Sequence, residues 1–318
     1  MDNMTETRFA YGEALLELGS LRPEVVVLDS DLYKSTRTVL FRDAYPERFI
    51  DIGISEADMV STAAGMASAG LIPFCNSFAI FLTGICYIPI RTQIAYPRLN
   101  VKLVGSSAGL TQGPDGASHQ SLEDVSLMRG LPNMTVIVPA DDVETRQATQ
   151  ALAGWHGPVY LRVGRYPVPR LFDDSYRFAV GRAVTVRAAA HAEVAILATG
   201  HMVWKALEAA DLLARDGIAS RVVNVSTIKP LDEGAILEAT NDVALAVTAE
   251  EHSIIGGLGG AVAESLASLS RHAPLLRLGT RDCFGESGLA DELLAKHGLQ
   301  PDGIRQSILT TLRRREQP

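Results

Sequence analysis

Two short stretches hold the residue types that acid–base chemistry needs. Gly113-Pro114-Asp115-Gly116-Ala117-Ser118-His119-Gln120 is a turn-forming loop that presents a carboxylate and an imidazole four positions apart. Asp51-Ile52-Gly53-Ile54-Ser55-Glu56-Ala57-Asp58-Met59 sets Glu56 at a glycine-marked strand end, just before an apolar stretch rich in Ala and Gly. An acid at the mouth of a helix together with an Asp/His loop makes an acid–base site. Taken singly, Glu56 also reads as an ordinary first-turn acid favoured by the helix dipole, and Gly-Pro-Asp-Gly as a surface turn.

Three further groups of residues carry chemical potential. Phe78 and Phe81, in Asn76-Ser77-Phe78-Ala79-Ile80-Phe81, are three apart, which predicts one shared helix face, where aromatics are usually core. Arg8, Ser35 and Arg165 are far apart in sequence, and each alone is a surface residue; guanidinium forks suit tetrahedral anions. Thr248-Ala249-Glu250-Glu251-His252-Ser253 runs into Ile254-Ile255-Gly256-Gly257-Leu258-Gly259-Gly260. Glycines opening a helix can cradle phosphate, so a nucleotide site is one reading of that stretch.

The elements that must position these residues alternate in type. Val25–Leu28, Val101–Val104, Val136–Val138 and Val159–Val163 read as buried strands. Helical patterns lie between them at Tyr11–Leu18, Asp58–Ala69, Phe78–Tyr96 and Val143–Ala153. Continuous apolar strands alternating with helices predict a mainly parallel sheet covered on both faces, an α/β fold. Pro167, Pro169, Asp173, Asp174 and Ser175 form a polar stretch suited to a linker, and a second alternation follows. Its strands are Val194–Ala198, Ser220–Val225 and Val243–Thr248, and its helices Val203–Asp216 and Gly256–Leu269. The expectation is two domains, 1–175 and 176–318, each a mainly parallel sheet flanked by helices.

Composition sets the bounds. The chain has 318 residues, 47% of them hydrophobic, enough for sizeable cores. A net charge of -8 argues against nucleic acid and against an anionic membrane surface. Cys75, Cys86 and Cys283 lack metal-ligand spacing and read as buried small hydrophobes in a reducing compartment. Asp2, Glu6 and Arg8 are followed by no apolar run, so no secretory leader is expected. The most apolar stretch, Leu71–Ile90, is interrupted by Pro73, Asn76, Ser77, Thr83 and Pro89 and reads as buried strand then helix, not a membrane span. The expected location is cytoplasmic.

The two opening motifs together resemble those of the transketolase family, and the chain resembles the C-terminal part of transketolase in the form split into two polypeptides. Gly53-Ile54-Ser55-Glu56 with Ala63-Ala64-Gly65-Met66-Ala67 is similar to the family's glutamate motif, in the domain that binds the pyrimidine ring of thiamine diphosphate. The resemblance implies that Glu56 hydrogen-bonds a ring nitrogen of the aminopyrimidine and activates the cofactor, with Phe81 stacking on the ring and Phe78 beside it. It implies that Asp115 bonds a sugar hydroxyl and that His119 bonds the sugar's carbonyl and hydroxyl oxygens. Arg8, Ser35 and Arg165 correspond to positions that grip an anionic end-group, and Asp31, in Asp29-Ser30-Asp31-Leu32-Tyr33-Lys34-Ser35, to a substrate-binding position. Where the family usually has a further phosphate-binding histidine, this chain has Ser107, which points to a specialised ketose with a phosphate or sulfonate end. By the same resemblance the Glu250–Gly260 segment is structural rather than a nucleotide site.

One family element is missing. Thiamine enzymes hold the diphosphate and its divalent ion through Gly-Asp-Gly followed by Asn, and no Gly-Asp-Gly occurs here. No residue of this chain is therefore assigned as a metal ligand. The resemblance implies that thiamine diphosphate and Mg²⁺ (or Ca²⁺) are held mainly by a partner, an N-terminal transketolase subunit, in an α2β2 heterotetramer. Two other readings stay open from sequence: the beta subunit of a 2-oxoacid dehydrogenase or a deoxyxylulose-phosphate synthase-like enzyme, and a non-catalytic regulatory or nucleotide-binding subunit.

Overall fold

The computed structural model describes residues 4–316. In the first half, β1 (Met4–Glu6), β2 (Val25–Asp29), β3 (Phe49–Asp51), β4 (Ile72–Phe78), β5 (Lys102–Ser106), β6 (Thr135–Ile137), β7 (Val159–Val163) and β8 (Pro167–Pro169) succeed one another. In the second come β9 (Val184–Arg187), β10 (Val194–Ala198), β11 (Ser220–Asn224), β12 (Thr227–Lys229), β13 (Leu245–Ser253) and β14 (Leu275–Thr280). Seven strands in the order β12-β6-β7-β5-β4-β2-β3 make one sheet, five in the order β14-β13-β10-β11-β9 make a second, and β1 and β8 pair antiparallel in a separate two-stranded ribbon. Within each of the two large sheets all pairings are parallel except one antiparallel edge strand, β12 on β6 and β9 on β11. This is the expected α/β architecture. Every residue of β2, β4, β5, β7 and β10 is buried, which is why these runs are mainly apolar instead of alternating.

The two halves share their cores. β12 comes from the second half of the chain yet extends the first sheet. One cluster joins Met59, Val60, Cys75 and Leu82 of the first half to Val223, Val225, Ile228 and Leu258 of the second. Another places Leu110 and Leu122, which flank the Asp115/His119 loop, among Val194, Ile196, Val247 and Leu294.

The helix Glu56–Ser68 starts with two acids, Glu56 and Asp58, at its positive end, and packs Met59, Val60, Ala63 and Ala64 inward. The helix Asp142–Gly154 is capped by Asp141, whose side chain accepts the Glu144 N–H at 2.8 Å.

Two sequence expectations are corrected. Phe78 and Phe81 do not share a helix face: Phe78 is the last residue of β4, and Phe81 opens a wide π-type segment, Phe81–Ile85, followed by Tyr87–Pro89 and a second such segment, Ile90–Ala95. Burial holds Phe78 in the sheet, and the long helix predicted over 78–96 is interrupted at Cys86, at φ -96° and ψ 11°, between the two wide segments. Cys75 and Cys86 are buried as expected, but Cys283 lies in a surface loop and is exposed. Among the described residues no helix is long and apolar enough to cross a membrane.

Candidate functional site

The carboxyl ends of β2, β4, β5 and β7 point the same way, and the loops that leave them gather the candidate residues, as open parallel sheets do with ligand sites. Glu56 is the first residue of its helix and is buried. Ser77, next to last in β4, donates to Glu56 Oε1 at 3.0 Å, and Ser30, just after β2, donates to the same oxygen at 3.3 Å. Among the described residues Oε2 has no hydrogen-bond partner. The carboxyl group is thus clamped on one oxygen and open on the other.

Phe78 and Phe81 stack with ring centroids 6.1 Å apart. His119 meets both edge-on, at 6.2 Å from Phe78 and 5.2 Å from Phe81. Tertiary packing therefore joins the two opening motifs: Ser77 touches Glu56, and its neighbour Phe78 touches His119. The imidazole Nδ1 lies 2.9 Å from Ser118 Oγ.

The polar residues form two linked pairs. Arg165 Nη1 donates to Asp115 Oδ2 at 3.3 Å and to Gln112 Oε1 at 3.4 Å, and Gln112 Nε2 donates to Asp115. Arg8 Nη1 donates to the Ser35 carbonyl at 2.8 Å, and Arg8 also pairs with Glu6. The Arg8 N–H donates to the Gly164 carbonyl at 3.2 Å, which brings Arg8 beside the segment carrying Arg165. Both guanidinium groups are engaged by protein acceptors, and the Ser35 contact is made by its carbonyl rather than its hydroxyl. Asp31 is exposed at φ 59°, and its N–H donates to Asp51 Oδ1 at 3.0 Å. Ser107 is buried at φ 57°, with its hydroxyl 3.3 Å from Ser106 Oγ and its N–H bonded to Val163 O at 2.9 Å.

Residues 3–169 match the family model of the transketolase pyrimidine-binding domain, and residues 181–304 that of the transketolase C-terminal domain. The chain belongs to the transketolase family. It is 43% identical over 309 residues to a putative transketolase C-terminal section of Methanocaldococcus jannaschii, covering 96% of each chain. It is 44% identical over 292 residues to the 6-deoxy-6-sulfo-D-fructose transketolase subunit of a Clostridium species, covering 92% of this chain and 90% of that one. A solved split-gene transketolase, described as an inactive β4 tetramer, superposes with a TM-score of 0.89 at 45% identity, covering 97% of this chain and 98% of that one.

In this transketolase-family chain the glycine-rich segment of the second half is closed to phosphate. Glu250 Oε2 and Oε1 accept the Leu258 and Gly259 N–H groups, each at 2.7 Å, at the N-terminus of the helix Leu258–Ala267. The cradle that a nucleotide phosphate would use is filled by the protein's own carboxylate. His252 is buried and structural: its Nδ1 lies 2.7 Å from Ser253 O.

Sequence reasoning missed a buried ionic cluster at the junction of the two sheets. Arg162 Nε donates to Asp124 Oδ2 at 2.8 Å, where Tyr160 O–H also donates at 2.6 Å. Arg162 Nη2 donates to the Glu251 carbonyl at 3.0 Å, and its Nη1 lies 3.9 Å from Glu251 Oε2. His201 Nδ1 lies 3.3 Å from the same Oε2. Burial pushes the Glu251 carboxyl up to about 7 against the pull of Arg162 and the Thr111 N–H, and burial with the nearby Arg162 pushes His201 down to about 3. Ser30 and Ser77 were also missed. Each adjoins a quoted motif residue, but a serine at a strand end carries no signal of its own.

Among the described residues, no group of three or more His, Cys, Asp or Glu side chains is placed to hold a metal ion.

Proposed function

We propose that this chain is the C-terminal subunit of a thiamine-diphosphate-dependent transketolase, transferring a two-carbon ketol unit from a ketose to an aldose. The observation that carries the reading is the Glu56 carboxyl, held at Oε1 by Ser77 and Ser30 and open at Oε2, beside the Phe78/Phe81/His119 cluster. That set fits an aminopyrimidine: a carboxyl oxygen for a ring nitrogen and aromatic faces for the ring. Bound thiamine diphosphate supplies the carbanion-stabilising chemistry. Glu56 holds the ring by its open oxygen and exchanges a proton there; Phe81, with Phe78, keeps water from it. His119 and Asp115 bind the oxygens of the sugar, where charge develops during C–C cleavage. Arg165, Arg8, Ser35 and Ser107 receive the other end of the donor, which is anionic, and Asp31 binds the substrate as a hydrogen-bond acceptor. The guanidinium of Arg165 exchanges Asp115 for that anion, or spans both.

The diphosphate and Mg²⁺ belong to a partner, an N-terminal transketolase subunit, with which this chain forms an α2β2 assembly in the cytoplasm. The missing Gly-Asp-Gly and the full-length match to proteins described as a C-terminal section, a subunit and a split-gene product support this. We place the domain boundary at residue 175, in the loop between β8 and β9.

The test is reconstitution. The purified chain, alone and mixed with an N-terminal subunit, is supplied with thiamine diphosphate and Mg²⁺ and assayed with a ketose phosphate, a ketose sulfonate and pyruvate. Ketol transfer from a ketose only in the mixture is the expected result. Turnover by the chain alone, or a mixture active on pyruvate and silent on ketoses, overturns the proposal.

A further inference from the structure

The loop that presents Asp115 and His119 belongs by sequence to the first domain, yet the second domain holds it. Leu110 and Leu122, on either side of it, are buried in the second domain's core. Between them, Thr111 donates its N–H to Glu251 Oε1, across 140 positions of sequence. Gly109, at φ 83°, passes so close that a Cβ there would lie 2.3 Å from the Glu251 carboxyl carbon. At the far end, Gln120 Nε2 ties the Gly113 carbonyl at 3.0 Å to the Glu286 carbonyl at 2.8 Å. A Cβ on Gly116 would meet Ser287 Oγ at 2.6 Å.

We propose that Glu251 is a positioning residue: from the second domain it fixes the Gly109–Gln120 loop and thereby sets how Asp115 and His119 meet the donor sugar. The inference rests on the reading of that loop as the sugar-binding loop. Glu251 lies on β13, is 4% exposed, and among the described residues makes its hydrogen bonds and ion pairs with Thr111, Arg162 and His201, none of them in the Glu56/Phe78/Phe81 cluster. Its second oxygen faces His201 Nδ1 and Arg162 Nη1, so the carboxyl group is oriented from both sides. An acceptor fixed on a core strand is more rigid than one on a loop, which is what a binding residue on a surface turn requires.

Two measurements on Glu251→Ala and Glu251→Gln test this. The first is hydrogen exchange on the full chain, which needs no assumption about the substrate. Loss of that buried hydrogen bond should speed exchange over residues 109–120 by about tenfold in Glu251→Ala. The helix Glu56–Ser68 should be unchanged, and Glu251→Gln, which keeps an acceptor for Thr111, should recover most of the protection. The second is kinetics of the reconstituted enzyme: Glu251→Ala should raise the donor KM by a similar factor with the dissociation constant of thiamine diphosphate unchanged. Unaltered loop exchange, or exchange raised equally over the Glu56–Ser68 helix, overturns the positioning role. Faster loop exchange with an unchanged donor KM keeps Glu251 as the loop's anchor and overturns the assignment of the loop to the sugar. If Glu251→Ala fails to fold, Glu251→Gln with Thr111→Pro, which deletes the donor instead, gives the same comparison.

Discussion

Ser77 Oγ lies 3.0 Å from Glu56 Oε1, so a hydroxyl on β4 fixes which face of the Glu56 carboxyl remains open. Two residues 21 apart in sequence thereby define one acid–base group.

Replacing Glu56 by Gln should reduce ketol transfer by at least about 10²-fold, the lower end for a positioned acid–base group. The fold should persist, because Gln tolerates the first helical turn. Initial rates of the reconstituted enzyme at saturating cofactor, beside far-UV circular dichroism, make the check. Ser77→Ala should have a smaller effect, about tenfold for one hydrogen bond to a charged group, since Ser30 still donates at 3.3 Å. Ser77→Thr should restore most of it.

Arg165→Ala should lower kcat/KM for donors with an anionic end by about 10- to 100-fold, the range for one charge-assisted bond. Unphosphorylated ketoses should be affected far less. The quantity to follow is the ratio of kcat/KM for a phosphorylated and an unphosphorylated donor. An unchanged ratio removes Arg165 from the anion site and leaves it as the partner of Asp115 seen here, 3.3 Å away.

Asp29 makes stability depend on pH in a defined window. Its carboxyl is buried at the end of β2, where it accepts from Thr36 and Thr38 hydroxyls and the Leu32 N–H at 2.7, 2.9 and 2.7 Å. Burial, outweighing those bonds, raises it from 3.8 to about 6. Between those values the folded state holds more protons than the unfolded one, so stability falls as pH rises through the window and levels off above about 6. The full effect is about 3 kcal/mol. Glu251 has the same sign, so the measurement is a difference: the change in urea unfolding free energy from pH 4.5 to 6.5 should be more favourable in Asp29→Asn than in the parent by about 2 kcal/mol, the part of the effect that falls between those pH values.

Gly257→Ala should destabilise by about 1–3 kcal/mol through overpacking. A Cβ there would lie 2.0 Å from Glu250 Oε2 and 2.7 Å from His252 Nδ1, both buried. Thermal unfolding measures the loss. Nucleotide added to the parent chain should leave its melting temperature unchanged, because Glu250 occupies the helix N-terminus.

The sequence by itself determined the α/β architecture, the family and the two motif centres, because each rests on local signals. Apolar runs without alternation mark buried parallel strands, Gly53 and the acids after it mark a strand end entering a helix, and Gly-Pro-Asp-Gly marks a turn. What only the tertiary structure decided are the contacts between strands distant in the chain. The three-residue spacing of Phe78 and Phe81 predicts one helix face, whereas burial inside the sheet makes the first a strand residue; their rings stack through a different geometry. The two hydroxyls on Glu56, the Asp115–Arg165 pair and the reach of Glu251 under the Thr111 N–H each join residues that share no local pattern. Burial and hydrogen-bond satisfaction select those partners, and both depend on how sheets pack rather than on which residues are neighbours along the chain.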